Sequence, residues 1–113
     1  MQVDAGYFKL EIFIPETHLN KLQKALQNVD AGHIGQYDSC LSYSQVTGVW
    51  RPLDGTNPYI GTHNEICYAP ELKVEVCCKQ ENLLRTIQAI KGIHPYEEPV
   101  INIIPLIFPF DLA

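Results

Sequence analysis

The sequence predicts an α+β domain of ferredoxin-like βαββαβ architecture, an antiparallel sheet with both helices on one face. Three observations predict it. Strand and helix signals follow one another along the chain in the order strand, helix, strand, strand, helix, strand. Both helical stretches carry one apolar stripe, so each has a single face to bury. The 113 residues suffice for one domain, taken as 1–113, without a linker or a low-complexity tract.

Residues 7–14 alternate Phe8, Leu10, Ile12 and Ile14 with Lys9, Glu11 and Phe13, a strand with one buried face. Pro15 ends it and suits the residue before a helix. Over residues 16–29, Leu19, Leu22, Leu26 and Val29 recur at helical spacing with Ala25 beside them, and Asp30-Ala31-Gly32 provides the stop. Residues 32–38 form a loop with two glycines. Residues 39–50 are rich in β-branched and aromatic side chains, a second strand. Two prolines and two glycines make residues 51–64 a long structured loop with Tyr59-Ile60 at its tip. The third strand, 71–79, sets Leu72, Val74, Val76 and Cys78 against Lys73, Glu75 and Cys77, and Ala69-Pro70 before it marks a bend or an edge. Leu83, Leu84, Ile87 and Ile90 form the stripe of a second helix over 81–91, with Gly92 as its stop. The last strand covers 99–107, where Pro105 implies an edge or a bulge.

Composition excludes several function classes. Hydrophobic residues make up 46% and charged residues 19%, which places the chain among folded proteins. Its apolar runs are far short of the roughly 20 residues that span a bilayer, so no membrane association is expected. Eight basic against 13 acidic residues give a net charge of −5, which argues against binding a phosphate backbone, so no nucleic acid is expected as a partner. Cys40, Cys67, Cys77 and Cys78 form no CxxC pair, and no secretory signal is visible. They read as reduced thiols of a cytoplasmic protein.

Two segments carry residues capable of chemistry. GIHPYEEP, 92–99, groups His94, Tyr96, Glu97 and Glu98 at a helix-to-strand junction. It reads either as a ligand contact or as a turn fixed by Pro95 and Pro99, with His94 and Tyr96 satisfying buried backbone groups. GVWRPLDGTNPYIG, 48–61, places Arg51 where it can clamp a carboxylate or phosphate, stack on Trp50, or pair with Glu97 or Glu98. The loop lacks a Walker signature, and Gly32-x-x-Gly35 is too short for a dinucleotide fingerprint, so no cofactor is expected. His18, His33, His63 and His94 show no metal-ligand spacing, and no nucleophile–base motif appears. Neither an intrinsic metal site nor a catalytic residue is expected.

Taken in order, AGHIGQYDSC, GVWRPLDGTNPYIG and HPYEEP followed by an apolar strand resemble the middle domain of the larger NGG1-interacting-factor-three-like (NIF3-like) proteins, such as bacterial YqfO proteins. The resemblance covers about residues 7–107, and the chain looks like a stand-alone version of that domain. It matches Gly32, Gly35 and Tyr37, then Arg51, Pro52, Gly55, Pro58 and Gly61, then His94 to Pro99, with Trp50 where phenylalanine is expected. HPYEEP is also similar to a stretch of the divalent-cation-tolerance protein CutA. The resemblance implies a CutA/PII-like fold, commonly a homotrimer. It brings no metal site, because the family's metal-binding residues lie in flanking halves that this chain lacks.

The resulting expectation is a non-enzymatic, oligomeric module that binds a small molecule or a protein partner in inter-subunit clefts. His33, Tyr37, Arg51, His94, Tyr96, Glu97 and Glu98 are expected to line the cleft, with Arg51 holding an anion that His94 and Glu97 orient. The alternatives are a divalent-metal responder of CutA type, using His94, Glu97 and a neighbouring copy's cysteine, and a hydrolase acting on a phosphorylated small molecule. The tail FPFDLA, 108–113, is expected to be a terminal strand of the same trimer.

Overall fold

A computed structural model describes residues 6–107, and the 108–113 tail lies outside them. Strand β1 (Tyr7–Ile14) leads through a 3-10 turn, Glu16–His18, into helix α1 (Leu19–Asn28). Strands β2 (Ser42–Trp50) and β3 (Cys67–Lys79) follow. A second 3-10 turn, Gln80–Asn82, then opens helix α2 (Leu83–Ile93), and β4 (Ile101–Leu106) closes the order βαββαβ. The four strands form one antiparallel sheet in the order β2-β3-β1-β4.

Register decides which side chains share a face. Leu10 lies opposite Val76, Ile12 opposite Val74 and Ile14 opposite Leu72. These six, with Cys78, meet Leu22 and Leu26 of α1 and Ile90 of α2 to form the core. Each such aliphatic side chain contributes about 1.5–3 kcal/mol relative to an exposed one. The opposite face carries a quartet of alternating charge: Lys9 and Lys73 each lie within 3.3–3.5 Å of Glu11 and Glu75. A hydrogen bond from Asn102, then the Lys73 ammonium, holds the Glu11 carboxyl below its ordinary range.

Several element ends differ from the expectations, β4 among them, which spans Ile101–Leu106 rather than 99–107. β3 begins at Cys67, so Ala69-Pro70 lies inside the strand. β1 ends opposite Leu72, and beyond that point β3 has only β2 beside it. Pro70 therefore sits where β3 is itself an edge, which tolerates a missing N–H. Gly92 does not stop α2, which continues to Ile93. The stop comes at His94, with ψ 130°, because the residue before a proline is driven out of the helical region. β2 starts at Ser42 rather than at 39, since the Cys40 amide donates back to the Gly32 carbonyl at 3.0 Å. Pro105 falls on β4, an edge strand, as its chemistry requires.

Beyond the end of β1, the paired stretches Val46–Trp50 and Cys67–Glu71 project as a two-stranded arm. The described residues measure 52 × 31 × 23 Å, with a radius of gyration of 15.8 Å. A compact domain of this length has about 13 Å.

Candidate functional site

The arm and its loop build a pocket. Within 51–66 the loop is held by its own hydrogen bonds: Trp50 Nε1 donates to the Ile60 carbonyl at 3.1 Å, and the Asn64 amide donates to the Pro52 carbonyl at 2.6 Å. Thr56 Oγ1 donates to the Leu53 carbonyl at 2.7 Å, and His63 Nε2 donates to the Thr56 carbonyl at 2.8 Å. One tie reaches a distant segment, where the Asn57 amide donates to Glu97 Oε2 at 2.8 Å.

His94 anchors the 94–99 turn on the other side. Its Nε2 donates to the Phe13 carbonyl at 2.7 Å, and its Nδ1 accepts from the Tyr96 amide at 3.1 Å. A carbonyl only accepts and an amide only donates, so the ring is the neutral Nε2–H tautomer. Burial agrees, pushing its pKa down. Tyr96 is then the hub of a ring cluster, with centroids 5.0 Å from His94, 5.6 Å from Trp50 and 6.2 Å from Tyr59.

Between arm, loop and turn lies a cavity of about 500 Å³. Its walls include Phe13, Val46, Trp50, Pro58, Tyr59 and Tyr96, and Arg51, Glu97 and Glu98 also border it. Glu71 on β3 lines it too, and this carboxylate side chain is only 5% exposed. It lies over Gly48 of β2, where any added Cβ would stand 2.3 Å from Glu71 Oε1. Glycine at 48 is what leaves room for the carboxylate. The Tyr96 hydroxyl is buried and meets no partner in hydrogen-bond geometry. Burial first, and the nearby Glu71 carboxylate second, raise its pKa well above the ordinary phenol value.

Of the residues expected from sequence, Arg51, Tyr96, Glu97 and Glu98 gather at this cavity, and His94 lies beneath it with both nitrogens committed. His33 and Tyr37 are not among them. Their loop is tied to the far end of β3, where the Gly32 amide donates to the Cys77 carbonyl at 2.8 Å. Cys77 is about 20 Å along the extended strand from Glu71. There His33 Nδ1 meets the Asp30 carboxylate at 2.9 Å and Nε2 meets the Gly35 carbonyl at 3.1 Å. Both partners accept, which favours the doubly protonated ring, and the Asp30 carboxylate raises its pKa. Sequence reading missed Glu71, Phe13 and Gly48. In the strand pattern Glu71 falls on the same face as Lys73 and Glu75, and nothing local marks it as covered. Among the described residues no three His, Cys, Asp or Glu side chains converge as metal ligands, and no helix is long and apolar enough to cross a membrane.

No family model matches the chain. Curated relatives do match it over most of its length. It is 38% identical over 99 residues to a GTP cyclohydrolase 1 type 2 homolog of Halalkalibacterium halodurans, covering 88% of this chain and 27% of that protein. A Bacillus subtilis protein of the same description is 35% identical over 98 residues, covering 87% and 26%. The chain thus spans about a quarter of the length of the curated relatives it matches. Among solved structures, a Bacillus cereus protein related to NIF3 superposes with a TM-score of 0.77 at 31% identity, covering 88% of this chain and 25% of that one. CutA1 of Shewanella sp. SIB1 superposes with a TM-score of 0.70 at 17% identity, covering 95% and 87%, a likeness of fold.

Proposed function

We propose that this chain, similar to a domain-sized segment of NIF3-related proteins and folded like CutA, is a non-catalytic module that binds a small molecule in the pocket between arm, loop and turn. The observation that carries this reading is the cavity itself. At about 500 Å³ it has the size of a small-molecule site, with aromatic and aliphatic walls and a few convergent polar groups. The loop around it is pre-organised by its own hydrogen bonds, which lowers the entropy lost on binding. Arg51, Tyr96, Glu97 and Glu98 contribute directly, and His94 positions Tyr96 from below. A homotrimer is the assembly that the CutA likeness favours. The four free cysteines suit a reducing compartment such as the cytoplasm.

A divalent-metal role finds less support, because His94 already uses both ring nitrogens on backbone groups. The name of the curated relatives describes proteins nearly four times as long, and their activity is not carried over.

Trp50 is the single tryptophan and lines the pocket, so its emission reports occupancy. Screening a metabolite panel by Trp50 emission together with thermal shift tests the reading. The expected result is at least one compound that moves both. A panel that stabilises the fold while leaving Trp50 emission unchanged would place binding elsewhere and refute this pocket.

A further inference from the structure

Resting on that pocket as a ligand site, we infer that its ligand is an organic cation: an amine or amidine on an apolar body, its charged head seated on the Glu71 carboxylate. Glu71 is 95% buried at the cavity and has no ion pair among the described residues, and the donor that faces it is the neutral Tyr96 hydroxyl. A buried carboxylate without a cation is strongly unfavourable, so such a group marks a place where something else supplies one. The nearby donors are already spent. The Trp50 indole N–H goes to the Ile60 carbonyl, and the His94 Nε2–H goes to the Phe13 carbonyl on a neutral ring. Only the Tyr96 hydroxyl remains, and it faces Glu71 outside good hydrogen-bond geometry.

Charge gives the sign of the ligand. Glu71, Glu97 and Glu98 border the cavity against one cation, Arg51; Arg51, Glu97 and Glu98 are all exposed, and Glu71 is the one buried charge of the four. That balance repels the anion that Arg51 alone would suggest. An ammonium fits what is left open. Its N–H groups donate to the Glu71 carboxylate, while the faces of Trp50 and Tyr96 favour positive charge over them.

The test uses the assembled protein, Trp50 emission, and three probes of matched shape: phenethylamine, its neutral isostere phenethyl alcohol, and the anion phenylpropionate. The amine is expected to bind at least about tenfold more tightly than the alcohol, with the propionate weakest. Glu71→Gln is expected to erase the amine's advantage, whereas Glu75→Gln, on the same strand face but outside the pocket, keeps it. Equal affinity for amine and alcohol overturns the cation and leaves the pocket as a ligand site. No emission change with any probe overturns both. If the alcohol binds, the amine does not, and Glu71→Gln instead weakens the oligomer, the cation is a side chain of a neighbouring copy and the inference fails. The isostere comparison needs no substitution, so it stands even if Glu71→Gln does not fold.

Discussion

At Gly32 the backbone takes φ +81°, its amide donates to the Cys77 carbonyl and its carbonyl accepts from the Cys40 amide. A Cβ there would lie 2.2 Å from the Cys40 oxygen. Two separate penalties follow, a left-handed φ and a collision with backbone that cannot swing aside. Gly32→Ala is expected to lower stability by about 2–4 kcal/mol in urea denaturation. A loss under about 0.5 kcal/mol would mean that the 30–40 loop does not hold this conformation.

His94 makes the second residue-scale prediction, and its sign follows from burial. Its folded pKa lies below the ordinary 6.5, so below that value the unfolded chain binds more protons than the folded one. The stability it contributes is complete above about pH 7 and is lost as pH falls through 6.5 toward the folded pKa. His33 has the opposite sign: its pKa is raised, so its small contribution is complete at low pH and fades as pH rises through that value. His94→Gln is expected to flatten the acid limb of a stability–pH curve. It also leaves the Phe13 carbonyl and the Tyr96 amide without their partner, at a cost of about 1–3 kcal/mol at pH 8. An unchanged acid limb would show that another group causes it. The sequence placed His94 in the right turn but left its role open. The reason is that its acceptor, Phe13, lies 81 positions away.

Elements were legible where a period repeats and illegible where distant segments cover one another. Alternation over 7–14 and the leucine stripe of α1 give strand, helix and buried face directly. The same alternation puts Glu71 on the face of Lys73 and Glu75 and leaves its burial unread, because period two states which face a residue takes and not what later packs on that face. The cover comes from the 51–66 loop and the 94–99 turn, which the Tyr59–Tyr96 ring contact and the hydrogen bond from Asn57 to Glu97 join. That hydrogen bond is exposed, so it holds the loop locally rather than the fold globally. Glu97→Ala is therefore expected to speed amide hydrogen exchange across 51–64 while leaving β1 and β3 unchanged, with a global loss below about 1 kcal/mol. Exchange that quickens equally in β1 would place Glu97 in the global unfolding unit instead.

For the whole molecule, the question is what the arm is for. A lone two-stranded hairpin is marginal in water, yet this one reaches past the end of β1, where β3 has only β2 beside it among the described strands. One of its faces is filled by the pocket. On the other, Val49 pairs with Tyr68, and these two are 56% and 70% exposed. Tyr43, further along β2 on that face, is 52% exposed. β2 also presents an unpaired edge nine residues long, the kind of edge that proteins cover or charge. Neither device appears among the described residues, so other copies are expected to supply the cover. Light scattering after gel filtration should then give three times the 12.8 kDa chain mass. Replacing Val49 and Tyr68 together with lysine is expected to yield a monomer whose far-ultraviolet circular dichroism is unchanged, since both side chains lie outside the core. If that double variant stays trimeric, the arm's apolar face is not the interface. If the parent chain is already a monomer, the arm stands free and the proposed assembly is wrong.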